Sequence, residues 1–128
     1  MLKQSTLGAA VLVSLLLTQS TAHAQYGLTA YDYLDNGYCY SYYACESGDW
    51  SADAYDAYYY AYCALYYANY AYAYDEPDYY YWAYYYSDWA SEYALEDYWA
   101  TGNYDSLEAY YNLCDGAGYA WDAYCYGG

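Results

Sequence analysis

The sequence is almost devoid of cations. Its 128 residues hold one lysine, Lys3, one histidine, His23, and no arginine, against 17 aspartates and glutamates, for a formal charge of -16. Phenylalanine and isoleucine are absent, and Pro77 is the only proline. Each shortage excludes something. A partner bound through nucleic-acid phosphates is excluded, because that affinity comes from Lys and Arg. Ser-His-Asp and Cys-His catalysis need an imidazole, Schiff-base chemistry needs a Lys, and phosphoryl transfer needs cations to hold the phosphates. After residue 24 no histidine is left for a zinc site, and no C-x2-C pair begins an all-cysteine site. Two options survive: a carboxylate pair of the glycosidase kind, and Ca²⁺, which takes oxygen ligands. With six leucines after residue 24 and no other large aliphatic there, little scaffold is left to surround a cleft, and the expectation is a protein that is not an enzyme.

The N-terminus reads as a secretory signal peptide over residues 1–24. Met1 to Lys3 is a short positive region, Leu7 to Leu17 is apolar, and Ala22-His23-Ala24 is an A-x-A cleavage signature before Gln25. An apolar run of 11 residues falls short of the roughly 20 that span a bilayer. No membrane span is expected, and the localisation is secreted, extracellular or periplasmic. Cleavage would leave 104 residues with no Lys, Arg or His, and losing Lys3 takes the side-chain charge to -17.

Five cysteines, Cys39, Cys45, Cys63, Cys114 and Cys125, follow the cleavage point. In an oxidising compartment they are disulfide candidates, with one thiol left over. Cys114 and Cys125 flank a glycine-containing turn signal and are the candidate local pair.

Three structural regions follow the leader. Residues 25–49 are rich in turn signals, and Asn36-Gly37 between Tyr31–Asp35 and Tyr38–Tyr42 predicts a β-hairpin. Residues 50–116 read as a helical core. Ala54, Ala57, Ala61, Ala64, Ala68 and Ala71 alternate spacings of three and four, which is a continuous seam along a helix. Pro77 separates it from a second helix over about 77–100, where Ala83, Ser87, Ala90 and Ala94 keep the seam and Gly102 is the stop signal. Small residues on both predict a close antiparallel hairpin. A third short helix is predicted from Asp105 as N-cap, with Glu108 completing a capping box, to Asp115-Gly116. Residues 117–128 are expected to form a tail. The fold class is therefore mainly α. The competing reading is a largely disordered Tyr-rich chain, since high charge with few aliphatics opposes a packed core.

Leu95, Tyr98, Gly102, Tyr104, Leu107 and Tyr111 stand at spacings that resemble the middle of one tetratricopeptide repeat, over about a sixth of the chain. One repeat earlier, Pro77 falls inside the second helix, so the segment reads as a generic helix-turn-helix.

Tyrosine dominates what is present: 31 residues, clustered at Tyr58, Tyr59, Tyr60, at Tyr79, Tyr80, Tyr81 and at Tyr84, Tyr85, Tyr86. A domain of this size cannot bury them all, and exposed phenols are oxidisable, so these nine are cross-link candidates. The composition resembles that of secreted Tyr-rich coat, eggshell and matrix proteins, with the departure that no lysine is present to trap quinones. Asp88, Glu92 and Glu96, spaced four apart, form one acidic face that repels itself and is the candidate site for a metal such as Ca²⁺, a cation or a basic protein. Asp75, Glu76 and Asp78 form a second acidic cluster. Trp82, Trp89 and Trp99 can share a face with those acids, a pairing suited to glycans or to cations through their π faces. The function expected is a secreted, non-catalytic, acidic structural or interaction protein of an extracellular layer, self-associating or joining other matrix proteins, cross-linked through Tyr. The alternative is a small disulfide-stabilised module for Ca²⁺, a glycan or a basic partner.

Overall fold

The computed structural model describes the backbone of residues 7–127 and the side chains of residues 25–126. Residues 1–6 and the side chains of the expected cleavage signature lie outside the described residues. Four helices follow in order: α1 (Leu7–Ser47), α2 (Ala52–Ala73), α3 (Tyr79–Thr101) and α4 (Tyr104–Gly127). Each packs on its neighbour in sequence, α4 closes back onto α1, and the diagonal pairs barely touch. The result is an up-down-up-down four-helix bundle, the arrangement that short connections favour. None of the helices among the described residues is long and apolar enough to cross a membrane.

Each helix contributes one seam of small residues to the interior. On α2 it is the six-alanine run from Ala54 to Ala71, every member of which is buried. The α3 seam is Tyr80, Ala83, Ser87, Ala90, Ala94 and Asp97, and the α4 seam is Ser106, Ala109, Leu113, Gly116, Ala120 and Ala123, all buried. The α1 seam is Gly27, Ala30, Leu34, Gly37, Ser41 and Ala44, again at alternating spacings of three and four. The expected β-hairpin at Asn36-Gly37 does not form, because both residues lie inside α1. Glycine within a helix costs about 1 kcal/mol relative to alanine; here the missing side chain makes room for a neighbour. A Cβ on Gly37 would stand 2.6 Å from the Leu113 side chain, and one on Gly116 would stand 2.6 Å from the Leu34 side chain. Leu34 and Leu113 thus plug the hole opposite, reciprocally, and lock the register of α1 against α4. Gly116 is part of this lock and does not stop the third helix, so the segment expected as a tail continues as helix to Gly127.

The same closeness lets a side chain of one helix reach the backbone of another. Ser87 Oγ donates to the carbonyl of Leu113 at 2.6 Å across α3 and α4. Alanine seams alone remove little apolar area from water. The rest comes from half-buried rings that fold over them, including Tyr38, Tyr60, Tyr67, Tyr86, Tyr93, Tyr119 and Tyr124.

The connections are tight. Trp50 N donates to Cys45 O at 2.9 Å as α1 unwinds, and Asp49 and Trp50 take φ of 54° and 55°, a left-handed conformation that costs a non-glycine residue about 1–2 kcal/mol. Ser51 then caps α2, its Oγ accepting from Ala54 N at 3.2 Å. Gly102, at φ 71°, ends α3 as the sequence indicates. The start of α4 differs: Asn103 Oδ1, not Asp105, caps it by accepting from Asp105 N at 3.0 Å. Asparagine two residues earlier does the same chemistry while its Nδ2 donates to Ala44 O at 3.2 Å, tying the turn to α1.

Candidate functional site

The heptad seams sort the tyrosines into two populations. Rings beside each seam fill the grooves between helices. Between α2 and α3 they interleave as a ladder: Tyr93 stacks on Tyr60 at 5.7 Å, Tyr60 on Tyr86 at 6.0 Å, Tyr86 on Tyr67 at 5.6 Å and Tyr67 on Tyr79 at 6.1 Å. Offset stacks of this kind contribute about 0.5–1.5 kcal/mol each beyond burial. Tyr33 on Tyr119, at 5.5 Å, does the same between α1 and α4.

The second population faces solvent. Tyr55, Tyr59, Tyr62 and Tyr66 follow one another at spacings of four, three and four along the outer face of α2, each 50–53% exposed. Residues 57–74 contain no charged side chain. On α2 the acids are confined to its start, Asp53 and Asp56 beside Tyr55; others lie on the remaining helices, including Asp32, Asp35 and Glu46 on α1, Asp88, Glu92 and Glu96 on α3, and Asp105, Glu108, Asp115 and Asp122 on α4. From Tyr59 onward, an aromatic face with no charged residue in its own segment therefore stands on an otherwise acidic bundle.

Of the nine cross-link candidates, Tyr59 and Tyr81 are exposed, and Tyr58, Tyr60, Tyr79, Tyr84, Tyr85 and Tyr86 are half-buried. Tyr80 is fully buried, because its position falls on the α3 seam, and its hydroxyl reaches the space that a Cβ on Gly27 would occupy. The spacing that identifies seams places Tyr55, Tyr62 and Tyr66 outward, although none of them lies in the triplets that composition picks out.

No protein-family model, curated protein or solved structure matches this chain. Its chemistry must be read from its own geometry.

On α3, Trp89, Glu92, Tyr93, Leu95, Glu96 and Trp99 line an open groove of about 380 Å³. It brings two of the expected acids together with two of the expected tryptophans. Asp88 lies outside the lining, and Trp82 joins Trp89 through Tyr85, with centroids at 5.9 and 5.0 Å. The three acids do not form a metal centre. Steps of four residues separate them by about 6 Å each along the axis, and among the described residues no three of His, Cys, Asp or Glu come close enough to hold an ion.

All five cysteines are free. Cys114 and Cys125 stand on the same helix, α4, three turns or about 16 Å apart, which is too far for the pairing expected from their flanking turn signal.

At the end of the bundle where α1 passes to α2 and α3 to α4, Asp97 is buried among four helices. Ser51 Oγ donates to its Oδ1 at 2.6 Å, Ser106 Oγ donates to its Oδ2, and Thr101 Oγ1 donates to its carbonyl at 2.7 Å. Burial, then the Asp97 charge, pushes the Cys45 thiol up from 9.0 to about 11. Sequence gave this acid no distinction from its neighbours, since its partners come from 46 and 9 residues away.

Between α1 and α2, Tyr38, Cys39, Tyr42, Tyr43 and Tyr58 line a hollow of about 300 Å³. Tyr38 and Tyr58 stack at 5.2 Å and 21°, with their hydroxyl oxygens 3.3 Å apart. That hydrogen bond, followed by burial, pushes the Tyr38 phenol from 10.0 up to about 12. Burial raises Tyr80 further in the same direction. These groups keep in the folded state protons that the unfolded chain releases. Their contribution to stability is complete below pH 9.0, the ordinary value of a thiol, and is lost as pH rises from there through about 12. Thermal melts between pH 8 and 12 should show a steep fall in this window, and a flat profile would contradict the burial of these groups.

Proposed function

We propose that the chain is a secreted, non-catalytic structural protein of an extracellular layer that assembles with further copies of itself through the tyrosine face of α2 and becomes cross-linked through exposed tyrosines. The supporting observation is the exposed stripe Tyr59, Tyr62, Tyr66, within the charge-free residues 57–74, on a chain whose charge would be -17 after loss of its leader. Two such chains repel each other wherever carboxylates meet, so the part of α2 beyond Asp56 is the face on which a second copy can approach at least electrostatic cost. The α2/α3 ladder is the internal precedent for how two tyrosine-lined helices interlock.

Sedimentation equilibrium of the chain from Gln25 onward tests this. Self-association is expected, and Tyr62→Glu should weaken it at least about tenfold, or 1.4 kcal/mol. Tyr111→Glu, equally exposed on α4, should leave it unchanged. A chain that stays monomeric at all concentrations removes the reading. A second reading, a binding module for a basic protein, is favoured by the α3 groove, where Trp89 and Trp99 supply π faces beside Glu92 and Glu96. A lysine-rich peptide that quenches tryptophan fluorescence, less so in Trp99→Ala, would support that reading; Ca²⁺ and glycans are the other ligands to compare.

A further inference from the structure

We infer that Tyr38 and Tyr58 are the site of an intramolecular dityrosine, an ortho-to-ortho carbon–carbon bond that staples α1 to α2 when the protein meets a one-electron oxidant of the peroxidase and hydrogen peroxide class. The ladders hold many phenols near each other, but proximity of ring centres does not align the reacting atoms. Coupling takes place at the carbons next to the C–O bond, so the phenol ends of the two rings must meet. In the described residues Tyr38 and Tyr58 combine near-parallel rings at 5.2 Å with hydroxyl oxygens 3.3 Å apart. This brings the ortho edge of one ring beside that of the other. Tyr67 and Tyr86, although stacked at 5.6 Å and 2°, have no such hydroxyl contact among the described hydrogen bonds.

The surroundings supply a route for oxidation. Trp50 and Tyr42 stand 5.9 and 5.8 Å from Tyr58, and Tyr62 stands 6.1 Å from Tyr38. All three are exposed, so an oxidant too large to enter the hollow can take an electron at its rim. Each phenol of the pair loses one electron to the oxidant and its hydroxyl proton to water. The two phenoxyl radicals, whose spin density is high at the ortho carbons, join by a carbon–carbon bond. The hydrogen on each joined carbon then moves to its oxygen as the ring regains aromaticity. The pair gives up two electrons and two protons in total, and one hydrogen peroxide becomes two waters. The Cys39 thiol lines the same hollow and, as a hydrogen donor, can quench the radicals, so Cys39→Ala should raise the yield. With every cysteine free, this bond would be a covalent tie across the bundle, closing a loop between positions 20 apart.

This deepens the oxidative part of the proposed function but does not require copies to associate. The test treats the chain from Gln25 onward, at low micromolar concentration, with a haem peroxidase and limiting hydrogen peroxide. The monomeric and oligomeric products are then digested separately with chymotrypsin for mass spectrometry. The expected monomer product contains the Tyr38 and Tyr58 peptides joined and two hydrogens lighter, with dityrosine fluorescence and a raised melting temperature. Tyr38→Phe and Tyr58→Phe, which keep the ring, should each reduce that species to background. Coupling within the monomer at other pairs, or between chains only, with Tyr38 and Tyr58 unmodified, overturns the staple. The second of these outcomes leaves the matrix reading standing. Joined Tyr38 and Tyr58 without any intermolecular product supports the staple and counts against the matrix reading.

Discussion

Gly116→Leu should destabilise the bundle by about 3 kcal/mol, and adding Leu34→Ala to it should restore part of that loss instead of deepening it. Leu34→Ala alone removes a fully buried side chain and should cost about 2–5 kcal/mol through lost burial and the cavity left behind. The two sites share one volume, because a Cβ at Gly116 would already be 2.6 Å from Leu34 Cδ2 and 3.3 Å from its backbone N. Moving the large residue from α1 to α4 keeps that volume roughly constant. The double-mutant cycle should therefore show a favourable coupling of about 1–3 kcal/mol. Leu113 and Gly37 form the mirror pair and should behave alike. Gly118→Ala is the control: nothing lies within 4 Å of its Cβ, so this change should stabilise the protein by about 0.5–1 kcal/mol through helix propensity alone. Urea or thermal denaturation measures all of these, with each kcal/mol shifting Tm by roughly 4–8 °C in a domain of this size. Additive losses at positions 34 and 116 would mean that α1 and α4 do not interlock in this register.

Asp97→Ala should be nearly as damaging, at about 3 kcal/mol. Hydrogen bonds to a charged group contribute about 1.5–3 kcal/mol each, and truncating one partner strands the others in a dry interior. Here the stranded groups are the hydroxyls of Ser51 and Ser106. Asp97→Asn keeps the shape and one acceptor and should cost less. It should also lower the pKa of Cys45, since the carboxylate is the second cause of that thiol's rise, while burial, the first, persists. Following Cys45 reactivity against pH in Asp97→Asn separates the two causes. Unchanged thiol titration would show that the charge of Asp97 is not felt at Cys45. Ser51→Ala combines loss of this contact with loss of the α2 cap, the latter alone worth about 0.5–2 kcal/mol.

The α2 and α3 seams were legible because alanine repeated at helical spacing, and the helix ends at Pro77 and Gly102 followed from backbone chemistry that needs no partner. The α1 seam obeys the same spacing in Gly27, Ala30, Leu34, Gly37, Ser41 and Ala44, but its composition is mixed, and the turn preference of Asn36-Gly37 is a stronger local signal. That preference lost to packing, since a glycine opposite Leu113 lets two helices approach along their whole shared length. At the other side of the interface the stop signal of Gly116 lost to packing in the same manner, against Leu34. Gly37 and Gly116 fall in the three-and-four spacing of their seams, which carries α1 through the turn signal and α4 beyond its expected stop.

The tyrosine surface divides similarly. That most of 31 phenols stay at least partly exposed follows from chain length and count, but which ones do follows from the seam register. Tyr80 lies on the seam and is buried, whereas Tyr59 and Tyr62 lie opposite it and face solvent.

The residue inventory, by itself, narrowed the chemistry: with Lys3 and His23 the only Lys and His and no Arg, imidazole and side-chain amine chemistry has no residue to use after position 24. It also determined that close-packed helices were available, because small residues recur at spacings of three and four. Only the tertiary structure decided which glycine is a hole and which a helix stop, which carboxylate is held by two serines, and which two phenols meet at their hydroxyls. The physical reason is the same in each case. Helical spacing is a property of one segment, whereas a hole, a buried acceptor or a phenol pair is defined by its partner, and those partners lie on other helices.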